Sequence, residues 1–412
     1  MAMNSPDYQE IIERFSHGPL SDVRVIEAGQ LLAGPFCGQL LGDFGAEVIK
    51  VEDPKKGDPM REWGREKPHG LSLWWPVVAR NKKSVTLNLR SEKGQELFRE
   101  LVKKSDIVIE NFRPGTMERW GLSFEELIKI NPRLVMVRVT GYGQDGPYAS
   151  RAGYGSIGEA IGGLRYVTGD PSTAPSRSGI SIGDSLAALF AAIGALSAFH
   201  LAEKTGVGQV VDSAIYEAVL AMMESLLPEY ALAGYVRERT GSILPNVAPS
   251  NVYPTADGQM IVIAANQDSV FGRLAVAMNH PELAQDPKYS THAARGENQE
   301  ELDTLISAWT ATYEGAKLSQ LLDENGVPQG RIYTAKEMFE DPHFKARNDI
   351  ITLEHPELGQ FPMHNVAPRL SKTPGVLRWV GPHLGEHNEE IYHDLLGISK
   401  PETEELIAKG VI

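Results

Sequence analysis

Short apolar runs alternate with stretches of helical spacing through the first half of the chain. Val23-Arg-Val-Ile26, Glu47-Val-Ile-Lys-Val51, Ser84-Val-Thr-Leu-Asn88, Asp106-Ile-Val-Ile-Glu110 and Arg133-Leu-Val-Met-Val-Arg138 predict strands. A Gly/Pro break at Ala33-Gly-Pro35 opens an amphipathic run to Leu41. From Gln95 to Lys104, Leu97, Leu101 and Val102 share one helical face. Ser123-Phe-Glu-Glu126 reads as a capping box, with Leu122 and Leu127 placed to staple it. Strand and helix alternating at this spacing predict a doubly wound α/β layer with a parallel sheet. The most apolar stretch, Ser185 to Ala202, is rich in Ala and carries Gly194, Ser197 and His200. It predicts a packed core helix rather than a membrane span.

The texture changes near residue 225. Val252-Tyr-Pro-Thr and Gln259-Met-Ile-Val-Ile263 flank Asp257-Gly258, a hairpin signal. Helical patterns follow at Ser269–Met278, Gln299–Tyr313 and Leu318–Asn325, the last ending at Gly326. The expectation is a large domain from 1–225 with 341–412 and a smaller α+β domain at 226–340. No internal repeat or low-complexity segment interrupts this pattern.

Composition narrows the function classes. The chain has 412 residues, too many for one compact core. Acidic residues (54) exceed basic ones (40), which argues against a general nucleic-acid binder. The single cysteine, Cys37, excludes an internal disulfide and a CxxC metal site. It reads as a packing thiol in a reduced compartment. The N-terminus shows no basic region followed by an apolar run, so the expected location is cytoplasmic, with no membrane partner. No histidine pair has ligand spacing, and no metal is expected.

Three motifs compete for the chemistry. Gly141-Tyr-Gly-Gln-Asp-Gly146 fits G-x-G-x-x-G, but Pro147-Tyr-Ala-Ser-Arg-Ala-Gly153 is poor helix material, and a tight turn fits better than a dinucleotide fingerprint. Gly179-Ile-Ser-Ile-Gly183 fits the nucleophile elbow, making Ser181 a hydrolase candidate. The polar, proline-bearing Ser172–Ser178 before it is unsuited to the buried strand an elbow needs. Asp184 stands directly before the apolar helix. As a residue type it suits an N-cap. The same position also suits a carboxylate nucleophile, since helix N-terminal amides favour its charge and supply oxyanion donors. Basic residues are in local excess between Lys50 and Arg119, including Arg80-Asn-Lys-Lys83, Arg90, Arg113 and Arg119. They read as a solvated face or as a holder for a phosphorylated ligand.

An ordered set of segments carries a resemblance. It runs Leu31-Leu-Ala-Gly-Pro35, Leu41-Gly-Asp-Phe-Gly-Ala-Glu-Val-Ile-Lys-Val-Glu52, Asn81-Lys-Lys-Ser84, Val108-Ile-Glu-Asn-Phe-Arg-Pro-Gly115, Thr140-Gly-Tyr-Gly143, Ile182-Gly-Asp-Ser185, Lys204-Thr-Gly-Val-Gly-Gln209 and Leu384-Gly-Glu-His387. From about residue 18 onward the chain resembles the class III CoA-transferases, the formyl-CoA transferase-like family. The resemblance implies a Rossmann-like large domain, a smaller domain from the middle of the chain, and an interlocked homodimer. It implies transfer of coenzyme A between carboxylic acids, with acyl-CoA as substrate and no permanently bound cofactor.

The resemblance also implies roles. Asp184 matches the family's nucleophile. CoA contacts fall at Leu32, Ala33, Leu87, Asn88, Arg90, Asn111, Phe112 and Arg119, with both arginines as phosphate partners. Formyl-type members carry glutamine where this chain has Leu32, and a run of glycines absent from Gly241-Ser-Ile-Leu-Pro-Asn246, which argues against formate or oxalate. The segment from Gly141 to Tyr154 is similar to members that use succinyl-CoA and dicarboxylic acids, with Arg177 as a candidate for the distal carboxylate. The 2-methylacyl-CoA racemases of the same superfamily are the alternative. They place a histidine where this chain has Tyr154, and tyrosine is a poor base near neutral pH.

Overall fold

In the computed structural model, residues 12–412 are described. Contacts divide the chain into two compact units. The first comprises residues up to Leu164, Gly179–Leu227 and Ala346–Ile412, and the second Arg165–Ser178 with Pro228–Lys345.

Six parallel strands form the sheet of the first unit. They are β1 (Arg24–Glu27), β2 (Glu47–Glu52), β3 (Lys82–Thr86), β4 (Ile107–Glu110), β5 (Val135–Thr140) and β6 (Val210–Ala214). Their order is β3-β2-β1-β4-β5-β6, reversing direction between β1 and β4. Helices α1 (Ala33–Asp43), α2 (Glu92–Val102), α3 (Gly155–Ile161), α4 (Ile182–Thr205) and α5 (Ile215–Leu220) pack around it. Five of the strands were legible as Val/Ile runs. The sixth was missed because Val210-Val-Asp-Ser-Ala214 is short and carries polar residues, as an edge strand allows.

Alternation along each strand supplies two cores. Ile26, Ile49, Val85, Val108 and Met136 meet α2 through Phe98 and Leu101. Val25, Val48, Ile107, Val135 and Val137 face α1 and α4. Each fully buried Val, Leu or Ile contributes about 1.5–3 kcal/mol. Where α4 crosses, Ala187, Ala191, Ala195, Ala198 and Ala202 form a small-residue stripe that brings its backbone close. Cys37 is buried there, and desolvation pushes its thiol far up. The long apolar helix was read as a core element, and this stripe packs against the sheet.

A parallel sheet starts every crossover helix at its carboxyl edge. The α1 and α4 N-termini therefore lie on the edge where the chain leaves β1, β3 and β4. A hairpin of β10 (Ile350–His355) and β11 (Gly359–His364) also belongs to this unit, joined later in sequence.

The second unit has a three-stranded antiparallel sheet of β7 (Ser250–Pro254), β8 (Met260–Ala264) and β9 (Gln329–Arg331). Helices α6 (Asp268–Ala277), α7 (Gln299–Thr310) and α8 (Gly315–Glu324) cover it through Phe271, Leu274, Leu302, Ile306, Leu318 and Leu322. Asp257-Gly258 turns the predicted hairpin, with Gly258 at φ +75°. Residues 341–345 join this unit, and so does Arg165–Ser178, because Tyr166 and Gly169 bond to Glu238, Arg239 and Gly241.

Candidate active site

Asp184 occupies the third position of α4, in its first turn, and is half-buried. It is not the N-cap. Ser181 takes the cap position without a side-chain cap hydrogen bond, and the Gly183 N–H donates to Glu159 Oε1 across 3.4 Å from neighbouring α3. Glu159 is itself 1 % exposed. An amide that a capping side chain would otherwise satisfy thus has a partner from another helix.

Close approach sets where the Asp184 carboxylate lies. A Cβ built on Gly155 would overlap Asp184 Oδ2 and stand 2.8 Å from its Cγ. One built on Gly183 would stand 2.8 Å from the Gly155 carbonyl oxygen. Gly158 and Gly162 continue this seam against Ile215 and Val219 of α5. Glycines three and four apart on a helix clear one face. This glycine seam and Glu159 went unrecognised in the sequence, although the spacing Gly155, Gly158, Gly162 was there to be read. Tyr154 precedes α3 and is 66 % exposed, beside Gly155.

The other candidates follow the carboxyl edge. Asn111, just after β4, accepts the Gln30 N–H at 2.7 Å and donates to the Gln30 carbonyl at 2.7 Å. It ties the loops on both sides of the point where strand order reverses, the usual ligand crevice of such sheets. The Phe112 N–H donates to Glu110 Oε2 at 2.7 Å, and Arg138 Nε reaches Glu110 Oε1 at 2.7 Å. Leu32 precedes α1 and Ala33 is its first residue, buried, with no acidic residue in the first turn. Leu87 is 2 % exposed and belongs to the core, and its N–H donates to the Glu52 carbonyl. Asn88 follows it, and its N–H donates to the Val411 carbonyl. Arg90 and Arg119 are exposed; Arg90 pairs with Asp53 at 3.3 Å and Arg119 donates to Thr116 Oγ1 at 2.9 Å. Arg177 is exposed and belongs to the second unit.

Several alternatives lose their structural context. No strand leads into Ser181, so the nucleophile-elbow geometry is missing. Gly143 and Gly146 adopt φ +85° and +78° in turns, and no helix starts until Gly155. In the basic stretch, Arg80 is clamped by Asp43, Lys82 by Glu27, and Lys83 by Glu47 and Glu390. These three serve the fold. No cluster able to hold a metal occurs among the described residues.

Comparison with known proteins accords with this fold. The family model "CoA-transferase family III" matches residues 20–388. The chain is 63% identical over 394 residues to the succinyl-CoA–D-citramalate CoA-transferase of Chloroflexus aurantiacus, covering 96% of this chain and 98% of that protein. It is 34% identical over 391 residues to the succinate–glutarate CoA-transferase of Agrobacterium fabrum, covering 93% and 98%. A CaiB/BaiF family protein from Brucella suis, solved by crystallography, superposes with a TM-score of 0.83 at 35% identity, covering 92% of this chain and all of that one. The chain belongs to CoA-transferase family III, and it is a CoA-transferase.

Proposed function

We propose that this enzyme moves coenzyme A from succinyl-CoA to a short dicarboxylic acid, with Asp184 as covalent nucleophile. The observation carrying the reading is the half-exposed Asp184 carboxylate in the first turn of α4, with Gly155 cleared away beside it. The 63% identical relative uses succinyl-CoA and D-citramalate by its name, which supports a 2-hydroxydicarboxylate as acceptor.

The chemistry needs only carboxylates and a thiolate. An Asp184 oxygen attacks the succinyl thioester carbonyl, and collapse expels CoA thiolate and leaves a mixed anhydride. The thiolate attacks the aspartyl carbonyl, releasing succinate and forming an aspartyl-CoA thioester. An acceptor carboxylate then attacks that thioester, expelling thiolate again. The thiolate attacks the acceptor's acyl carbon, giving the new acyl-CoA and restoring Asp184. No nucleophile has to lose a proton, so no base is required. The protein's part is to position the groups and stabilise the oxyanion. By the family resemblance, Leu32, Ala33, Leu87, Asn88, Asn111 and Phe112 are assigned to CoA, Arg90 and Arg119 to its phosphates, and Tyr154 and Arg177 to the acyl groups.

An interlocked homodimer belongs to this reading. The outer face of α4 carries Leu189 (43 % exposed), Ile193 (60 %) and Leu196 (41 %) at helical spacing. Such a stripe is what a second copy would cover. The test is CoA transfer from succinyl-CoA to a panel of mono- and dicarboxylates, run with Asp184→Asn alongside. The reading requires turnover on a dicarboxylate and its loss in the variant; full activity of Asp184→Asn would overturn it.

A further inference from the structure

Beneath the loop joining β1 to α1 lies a group of buried charges that the transfer chemistry does not use. Glu27, Lys50, Asp58 and Lys82 are each 1 % exposed or less. Lys50 Nζ stands 2.7 Å from Asp58 Oδ2 and 3.1 Å from Glu27 Oε1, and Lys82 Nζ stands 2.7 Å from Glu27 Oε2. Buried ion pairs of this kind are weak contributors to stability, since apolar residues of similar volume serve as well. Their contacts suggest a different use. Lys50 Nζ donates to the Gly29 carbonyl, Asp58 Oδ1 accepts the Leu31 N–H at 3.0 Å, and Lys82 Nζ donates to the Pro35 carbonyl at 2.6 Å. Three of the four charges thus grip one short backbone segment.

That segment is strained. Leu31 has φ +65°, a left-handed conformation that any residue with a Cβ resists. The strain sits immediately before Leu32 and Ala33, where the chain turns into α1. Released, the turn would relax to negative φ and re-aim both residues. Burial disfavours charge on Asp58, but the adjacent Lys50 ammonium together with the Met60 and Leu31 amides outweighs it and holds the carboxyl below the usual range. The acceptor that grips Leu31 is therefore anionic at neutral pH.

We propose that Asp58, backed by Lys50, is a positioning residue for CoA transfer: its hydrogen bond to the Leu31 N–H holds the left-handed turn that presents Leu32 and Ala33 to the acyl-CoA. The proposal rests on the reading of Leu32 and Ala33 as CoA contacts and of Asp184 as the nucleophile. Asp58 itself touches no substrate.

The experiment follows the rate of CoA attachment to Asp184 at saturating succinyl-CoA, with a melting curve for each variant. Asp58→Ala should slow attachment about tenfold, the factor that corresponds to leaving a left-handed turn unsupported. Adding Leu31→Gly to Asp58→Ala should recover most of that loss, because glycine adopts positive φ without strain. A folding defect alone would not be recovered by a glycine. Leu31→Val leaves the charges untouched, so it stands in should Asp58→Ala fail to fold. A β-branched residue resists this φ more than leucine does, and attachment should slow by more than the small fall in melting point accounts for. Unaltered rates in Asp58→Ala, or in Leu31→Val, would overturn the proposal while leaving the nucleophile intact. A wild-type protein that forms no adduct would instead overturn the reading of Asp184.

Discussion

Gly155→Ala separates activity from stability, and the structure sets the size of each effect. The added Cβ would stand 2.8 Å from Asp184 Cγ, where carbon atoms prefer about 3.5–4.0 Å, so the carboxylate must retreat by about 1 Å. Asp184 is half-exposed and can swing away, at about 0.5–1.5 kcal/mol for an off-rotamer side chain. Alanine at this first helical position returns less than the roughly 0.5–1 kcal/mol it gains over glycine in a helix interior. The two partly cancel, so the melting temperature should stay within a few degrees of wild type. Activity has no such offset. A misplacement of about 1 Å costs on the order of a hundredfold in rate. Parallel thermal melts and timed chromatography of CoA esters from succinyl-CoA would measure both. A Gly155→Ala protein with full turnover would refute the argument that this glycine clears the position of the proposed nucleophile. One that unfolds would refute the claim that the carboxylate, and not the helix packing, absorbs the added methyl.

Other variants probe other parts of the account. Arg295 is fully buried and donates to the Ala248, Tyr289 and Asn266 carbonyls; Arg295→Met strands these acceptors and should cost at least about 3 kcal/mol in urea unfolding, and a loss under about 1 kcal/mol would contradict it. His387 has a buried Nδ1 with no hydrogen-bond partner among the described residues, and desolvation lowers its pKa. Protonation therefore favours the unfolded chain, so stability from this group is fully present above the unfolded value of about 6.5 and is lost as pH falls from there to the lowered folded value. His387→Gln should flatten the melting-temperature slope between about pH 7 and pH 5, and an unchanged slope would count against the assignment. If the proposed homodimer uses the outer face of α4, Ile193→Lys should halve the mass measured by light scattering, whereas an unchanged mass would remove that face from the interface.

How much of this was readable beforehand depended on whether the signal was local. Val/Ile runs such as Ile107–Glu110 announce buried parallel strands because both faces are covered, and Asp257-Gly258 announces its own turn. The edge strand Val210–Ala214 has one polar half and gave no such announcement. Residues 165–178 look like a loop within the large domain because their partners, Glu238 to Gly241, lie some seventy positions away. In the site, Asp184 was found as a residue but with two roles open. The resemblance chose the nucleophile over the cap, and the structure gives the cap position to Ser181, which the sequence did not single out for it. Leu87 shows the reverse case: a matching motif position whose side chain is in the core. The Asp58 grip on Leu31 is hidden in sequence altogether, because no residue type betrays a left-handed leucine.

The most direct measurement is the mass of the Asp184 peptide after brief incubation with succinyl-CoA and rapid acid digestion. The account predicts a CoA adduct on that peptide, discharged on addition of an acceptor dicarboxylate and absent from Asp184→Ala. Succinyl-CoA turnover with the label on another residue, or transfer at full rate by Asp184→Ala, would contradict it.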